Sequence, residues 1–202
     1  MTERRRNTVD RSEILDLGDY ERRRDQIRPS AIQARHIRRV SIGPNATLSF
    51  ENRETVRYQI QEMLRAERIA KDVEVQHEID SYSDLLPAPA ELSATLMFEF
   101  PEPQERAVHL ENLLGVENHL GLEIEGAGRA EGYFDRRQLD DDRVSSVQFV
   151  RIPLDEKQLK ALEEGKKLTA VIDHPQYEHR SEIPPETVAA LLRDLDESEQ
   201  TA

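Results

Sequence analysis

FENRETVRYQIQEMLRAER, residues 50–68, decides the helical part of the fold, because its apolar side chains recur at the spacing of an α-helix. Val56, Ile60 and Met63 follow one another at steps of four and three residues, and Glu67 continues the line four residues later. A carboxylate on the apolar side of a helix is costly to bury unless it is paired, protonated or bound to a metal. The stretch therefore predicts an interior polar cluster beneath this helix.

Other polar side chains of the same stretch extend the predicted cluster. One interpretation is a carboxylate buried against an arginine or against capping backbone amides, which is favoured because buried charges are normally paired. The other interpretation is a small polar pocket that binds an anion or a metal ion. The predicted buried polar network consists of Asn52, Arg53, Gln59, Glu62, Arg65 and Glu67.

Outward from this helix, hairpins alternate with separate helices. Gly43 separates two alternating apolar segments and predicts a β-hairpin over 37–50, and a second hairpin is predicted over 120–134. This pattern favours a single α+β domain with a mainly antiparallel sheet and several packed helices. Further strands are predicted at 93–100, 145–152, 168–172 and 177–183, and further helices at 72–82, 103–114, 155–164 and 185–195.

The predicted domain covers 12–195. Residues 1–11 are polar and are expected to form a flexible arm, and the acidic residues 196–202 a disordered tail. Residues 12–34 are charged with few apolar positions, so they predict a helical strap of one or two short helices. A break is expected near Pro29, because proline removes a helical hydrogen bond.

Charge is distributed unevenly along the chain, whose net charge is −13. Residues 1–39 contain 11 arginines against 7 acidic residues, whereas the remainder contains 17 basic against 34 acidic residues. An acidic body repels phosphate backbones and anionic headgroups, so nucleic-acid binding is disfavoured and no membrane partner is expected. Only the arginine-rich beginning favours RNA binding.

The chain contains no cysteine, which excludes disulfides, thiolate nucleophiles and cysteine-ligated clusters held by its own side chains. Any metal would need histidine and carboxylate ligands. The first residues, MTERRRNTVD, are polar, and no apolar run approaches the length of a bilayer span. We expect a cytoplasmic protein without a cofactor, a divalent metal being the alternative.

Two further groups of side chains could carry chemistry. Asp173, His174 and His179 lie close together in sequence and could ligate a divalent metal or relay a proton. A proline-stiffened turn whose Asp and His satisfy local backbone amides is the favoured interpretation. The second candidate cluster consists of Asp141, Arg143 and Tyr177.

Four stretches carry a resemblance to a known family: FENRETVRYQIQEMLRAER, SATLMFEF, DDRVSSVQF and DHPQYEH. In these stretches the chain resembles an uncharacterised bacterial family, domain of unknown function 3501. The resemblance covers roughly 35–195. It implies no activity, but it implies a context, since such proteins are often encoded beside rubrerythrin-like proteins and iron-sulfur oxidoreductases of the heterodisulfide-reductase type. A chain without cysteines could only assist, dock or handle a different cofactor in such a system.

Three hypotheses follow. The leading one is a non-catalytic accessory or interaction protein of a bacterial redox or peroxide-defence system, which docks a rubrerythrin-like or iron-sulfur partner through the helix-rich N-terminal half. The alternative is a metal-dependent enzyme or metal-binding protein that uses Glu67 with Glu62, or Asp173 with His174 and His179. The third is RNA binding by residues 1–39. The oligomeric state stays open.

Overall fold

Nine strands form two antiparallel sheets, flanked by six α-helices, in the computed structural model, which describes residues 8–135 and 142–200. The strands are β1 Arg39–Ile42, β2 Ala46–Glu51, β3 Glu91–Phe98, β4 Leu120–Ile124, β5 Gly128–Glu131, β6 Tyr133–Phe134, β7 Val147–Pro153, β8 Leu168–His174 and β9 Tyr177–Glu182. The helices are α1 Leu17–Ile37, α2 Arg53–Glu67, α3 Asp72–Ser83, α4 Pro103–Asn112, α5 Glu156–Glu163 and α6 Pro185–Gln200. The predicted single α+β domain is confirmed.

The two sheets have the strand orders β1-β2-β3-β7-β6 and β5-β4-β8-β9. The main apolar core is shared by both sheets, and it includes the completely buried Ile42, Leu48 and Phe50 of the first sheet and Leu122 and Ile172 of the second. Successive side chains of a strand point to opposite faces, so each strand contributes alternate residues to this core. The sequence predicted one sheet, and the structure divides the strands between two.

A second, smaller apolar core lies under α2 and α3. Val56, Ile60 and Leu64 of α2 are buried there, together with Ile79 of α3. Val9 is buried in the same core, and its backbone N–H donates to Ser83 Oγ at 3.0 Å. Buried Val9 differs from the predicted flexible arm, because an apolar side chain tethers this segment to α3.

Glu67 is exposed, which differs from the prediction of an interior carboxylate. It is the last residue of α2, and Arg68 follows in the left-handed conformation with φ of 57°. The chain then turns back, so that the Ile69 N–H donates to the Leu64 carbonyl at 2.9 Å and Ile69 packs against the smaller core. Ile69 therefore takes the apolar position that helical spacing assigned to Glu67, as the Schellman ending of a helix requires.

Two further boundaries differ from the sequence prediction. α1 is one continuous helix that contains Pro29, because Tyr20 near one end and Ala34 near the other are both buried. Packing at both ends outweighs the loss of about 3 kcal/mol that proline causes inside a helix. α6 continues through residues 196–200, expected to be disordered, and buries Ser198.

A buried ion pair joins α1 to α6. Arg38, directly after α1, donates from Nε and Nη2 to the two carboxylate oxygens of Asp194 at 2.7 and 2.8 Å. Its Nη1 donates to the Ala34 carbonyl at 3.0 Å, and the side chains of the pair are only 9% and 5% exposed. The geometry is bidentate, the strongest arrangement for an arginine and a carboxylate.

Asn52 extends this ion pair to α2. Its side-chain amide donates to Asp194 Oδ1 at 2.9 Å, while its carbonyl oxygen accepts from the Thr55 N–H at 2.9 Å and caps the helix. Glu51 lies alongside and accepts hydrogen bonds from the hydroxyls of Thr55 and Thr95. Of the predicted network, Asn52 is thus the member that lies in a fully buried polar cluster.

We predict that Asp194→Ala lowers the free energy of unfolding by about 3–5 kcal/mol, because Arg38 would remain buried without its counter-charge. Urea unfolding followed by circular dichroism measures the loss. Asp196→Ala, on an exposed position of the same helix, is the matched control and should change stability by less than about 0.5 kcal/mol. Equal effects of the two substitutions would contradict the assigned role of Asp194.

The β1–β2 hairpin is fastened to the second sheet by Tyr177. The Tyr177 hydroxyl donates to the Ile42 carbonyl at 2.7 Å and accepts from the Asn45 N–H at 3.0 Å. The His179 ring packs against Tyr177, with ring centroids 4.5 Å apart, and fills the space beside Gly43. Gly43 has a φ of +71°, so backbone conformation and space both require glycine here.

We predict that Gly43→Ala destabilises the protein by about 2 kcal/mol, because a Cβ would lie 2.4 Å from His179 Cγ in a strained left-handed conformation. In a His179→Ala background the same substitution should cost only about 1 kcal/mol, the conformational part. Thermal unfolding of the wild type, the two single variants and the double variant measures the cost of Gly43→Ala in each background. The same cost in both backgrounds would show that the ring does not crowd this turn.

Candidate functional site

A polar seam forms where α1 packs beside α2. The start of α1 lies beside the end of α2, where Arg24 Nε and Nη2 donate to the two oxygens of Glu62 at 2.7 and 2.9 Å. The hydroxyl of the completely buried Tyr20 donates to Glu62 Oε1 at 2.5 Å. At the other end, the Phe50 N–H donates to the Arg38 carbonyl, so the end of α1 lies beside the start of α2.

These contacts fix the protonation states of the seam. The hydrogen bonds from Arg24, followed by that from Tyr20, lower the pKa of Glu62 to about 2 against the opposing effect of burial. Burial, followed by the hydrogen bond to Glu62, raises the pKa of Tyr20 well above its usual value. Glu62 is therefore ionised at neutral pH and Tyr20 is neutral, which makes this end of the seam a stable ionic contact.

Further predicted residues lie along the same seam. Arg53 forms a bidentate ion pair with Glu13, and Arg65 Nε lies 2.8 Å from Glu21 Oε1 without the direction of a hydrogen bond. Gln59 accepts a long hydrogen bond of 3.4 Å from the arginine at position 35. Four of the six predicted residues, Arg53, Gln59, Glu62 and Arg65, thus share the seam.

The partners of these residues come from the segment that the sequence predicted as a strap. The network prediction did not include Glu13, Tyr20, Glu21 and Arg24, although the charges of Glu13, Glu21 and Arg24 complement those of α2. The mixture of four arginines and five acidic residues in this segment was the signal for such pairing. The polar cluster under α2 is therefore mainly an interface between two helices.

A groove of about 280 Å³ opens along this seam. Tyr20, Ile27 and Ala31 give it an apolar floor. Arg23, Arg57 and Tyr58 line it with hydrogen-bond donors, and none of the three makes a side-chain hydrogen bond or ion pair with any described residue. The complete lining consists of Glu13, Leu15, Tyr20, Arg23, Ile27, Ser30, Ala31, Glu54, Arg57, Tyr58 and Gln61. An apolar floor with a few polar groups is the composition of a binding site.

The predicted metal residues at the β8–β9 turn do not converge. Asp173 and His174 are consecutive in β8 and point to opposite faces of the sheet. The buried His174 donates from Nε2 to the Leu114 carbonyl at 3.0 Å and accepts the Gln176 N–H at Nδ1, so both ring nitrogens are occupied. His179 packs on Tyr177, as described above. Among residues 8–135 and 142–200, no group of three metal-ligating side chains occurs.

Asp173 instead belongs to a charge cluster on the outer face of the second sheet. It accepts hydrogen bonds from Arg129 and lies 3.2 Å from His119 Nδ1. Arg129 reaches from β5 across β4 because Gly121 leaves its path free, since a Cβ there would lie 2.3 Å from Arg129 Nε. The hydrogen bond from Arg129, opposed by slight burial, lowers the pKa of Asp173. His119 lies 54 residues from Asp173 in the sequence, so only the fold brings the two side chains together.

The second candidate cluster is not assembled by the described residues. Asp141 lies outside them, and Arg143 is exposed without a hydrogen bond or ion pair to a described residue. The Tyr177 hydroxyl is occupied by the β1–β2 hairpin. In the ranges that the structure describes, no helix is both long enough and apolar enough to span a bilayer.

We predict that Glu62→Gln reduces the amount by which the free energy of unfolding falls between about pH 5 and pH 2. The pKa of Glu62, about 2 in the folded protein, lies below the ordinary value of 4.5, so its carboxylate stabilises the fold above about pH 5 and less as pH falls towards 2. The wild type should lose about 1–3 kcal/mol more than the variant over that interval. Urea unfolding at several pH values measures this. Glu67→Gln, at an exposed position of the same helix, should keep the wild-type profile, and an equal reduction would contradict the pairing.

Comparison with family models shows the family of this chain. The model of a family described as a protein of unknown function, DUF3501, matches residues 8–195. A crystal structure of a protein of unknown function from Burkholderia pseudomallei is similar, with a TM-score of 0.88 and 33% sequence identity over 94% of this chain and 100% of that chain. No curated protein matches the chain significantly. Because the family model spans the domain from its first buried residue to α6, the chain belongs to the DUF3501 family.

Proposed function

We propose that this protein is a non-catalytic accessory protein that docks a partner in the groove between α1 and α2. The observation that carries the proposal is the composition of this groove, an apolar floor under a polar rim. The cores of protein interfaces are apolar and their rims are polar, and arginine and tyrosine are enriched in them. Arg23, Arg57 and Tyr58 supply those residue types here.

The chemistry of the seam supports docking over proton transfer. A general acid or base works best with a pKa near the operating pH. The pKa of Glu62 is lowered to about 2, and Tyr20 is held neutral by burial and its hydrogen bond. These groups keep a fixed charge at neutral pH, which suits a structural support for a binding surface.

The pathway in this proposal comes from the family resemblance. The resemblance implies that genes for rubrerythrin-like proteins and iron-sulfur oxidoreductases often accompany the family, and on that basis we propose a redox protein of a cytoplasmic bacterial peroxide-defence system as the docked partner. The chain has no cysteine, so its contribution is to position such a partner rather than to hold a cysteine-ligated cluster.

We predict that a photo-reactive amino acid placed at Ser30, on the groove wall, cross-links a redox protein in cells that express this protein naturally. Ser30 is exposed, so the substitution leaves both cores intact. Mass spectrometry of the adduct identifies the partner. Val73 on α3, which is 84% exposed, is the control position and should give no such adduct.

Three results would contradict the proposal. They are the absence of any adduct from position 30, adducts of equal yield from positions 30 and 73, and an adduct with a protein that has no redox centre. The first two would reject the groove as an interface, and the third would reject the assigned pathway.

A further inference from the structure

Five arginines along the α1–α2 seam fall into two groups, apart from Arg35, which donates to Gln59. Arg24, Arg53 and Arg65 each lie against a carboxylate of the protein. Arg23 and Arg57 line the groove, and neither guanidinium donates a hydrogen bond or forms an ion pair within the described residues. Three arginines of the seam are therefore paired within the protein, and two guanidiniums at the groove have no partner among the described residues.

The acidic side chains of the groove offset these two charges only in part, since the hydrogen bond from Arg53 and, to a smaller extent, the charge of Arg57 lower the pKa of Glu13. Glu13 lines the groove, but both of its oxygens accept hydrogen bonds from Arg53. Glu54 is then the one lining carboxylate, among the residues described, without an arginine partner. Two free guanidiniums and the Tyr58 hydroxyl thus face one free carboxylate, so the groove attracts a negative group.

The remaining features of the groove restrict the class of ligand. A volume of about 280 Å³ accommodates one or two side chains rather than a folded surface. Its floor of Tyr20, Ile27 and Ala31 offers apolar contact to a side chain beside the charged one. A long phosphate polymer is disfavoured, because the chain has a net charge of −13. A single carboxylate needs only the short-range pairing that arginine provides in bidentate form.

We infer that the groove binds an acidic peptide segment of a partner protein, a claim that rests on the proposed docking function. Arg23 and Arg57 hold a carboxylate of the segment, Tyr58 donates to the same group or its neighbour, and an adjacent apolar side chain of the peptide covers Tyr20 and Ile27. The specificity lies in the pairing of one acidic with one apolar side chain, since each alone would satisfy only part of the groove.

The experiment is a selection of peptides from a random heptapeptide phage library on the full-length protein, followed by fluorescence anisotropy with the enriched peptide. Enriched sequences should contain Asp or Glu beside an apolar residue. Arg23→Gln and Arg57→Gln should each weaken binding roughly tenfold, because each removes a charge-assisted hydrogen bond. Arg28→Gln is the matched control, since Arg28 is exposed on the same helix outside the groove lining, and it should bind like wild type.

Several outcomes would overturn the inference. They include enrichment without acidic residues, undiminished binding by the Arg23→Gln/Arg57→Gln double variant, and equal weakening by Arg28→Gln. Tight binding of a single-stranded RNA 12-mer that depends on Arg23 and Arg57 would also replace the acidic peptide. If the cross-link from position 30 succeeds while no acidic peptide binds, the docking function stands and this inference falls. If both fail, the groove is not an interface.

Discussion

The arrangement of the helices depends on the buried pair of Arg38 and Asp194. Burying two charges is costly, and the cost is offset only when geometry is good and the remaining polar atoms are satisfied. Both conditions hold, because the pair is bidentate and Asn52 and the Ala34 carbonyl complete its hydrogen bonds. One cluster thus fixes the end of α1, the start of α2 and the middle of α6. The groove follows from that placement.

The local elements could be predicted because their signals span only a few residues. Asn52 caps α2 through Thr55, three positions later, and Asp155 caps α5 through Gln158 at the same spacing. Gly43 marks the turn of the first hairpin by its left-handed backbone. The Arg38–Asp194 pair has no such signal, since 156 residues separate its members and only the folded sheets bring them together.

Glu67 and Glu62 show how helical spacing can predict a polar cluster and misplace its centre. Spacing put Glu67 on the apolar line, but periodicity does not reveal that the helix ends there and that Ile69 turns back over Leu64. Glu62 faces α1, a helix whose continuity through Pro29 was not expected. Its true partners, Tyr20 and Arg24, belong to an element that the sequence had treated as a secondary strap.

The groove exists because α1, between its two anchored ends, places small side chains beside α2. α1 is held at one end by Tyr20 and Arg24 on Glu62 and at the other by Arg38 on Asp194. Between these points the chain places Ser30 and Ala31 on the groove, side chains too small to fill the space before α2. Protein interiors are close-packed, so a gap between two anchored helices persists only where it meets solvent or a ligand. Long arginines at the rim and short side chains at the wall together give a cavity whose donors have no acceptor among the described residues and are open to a negatively charged ligand.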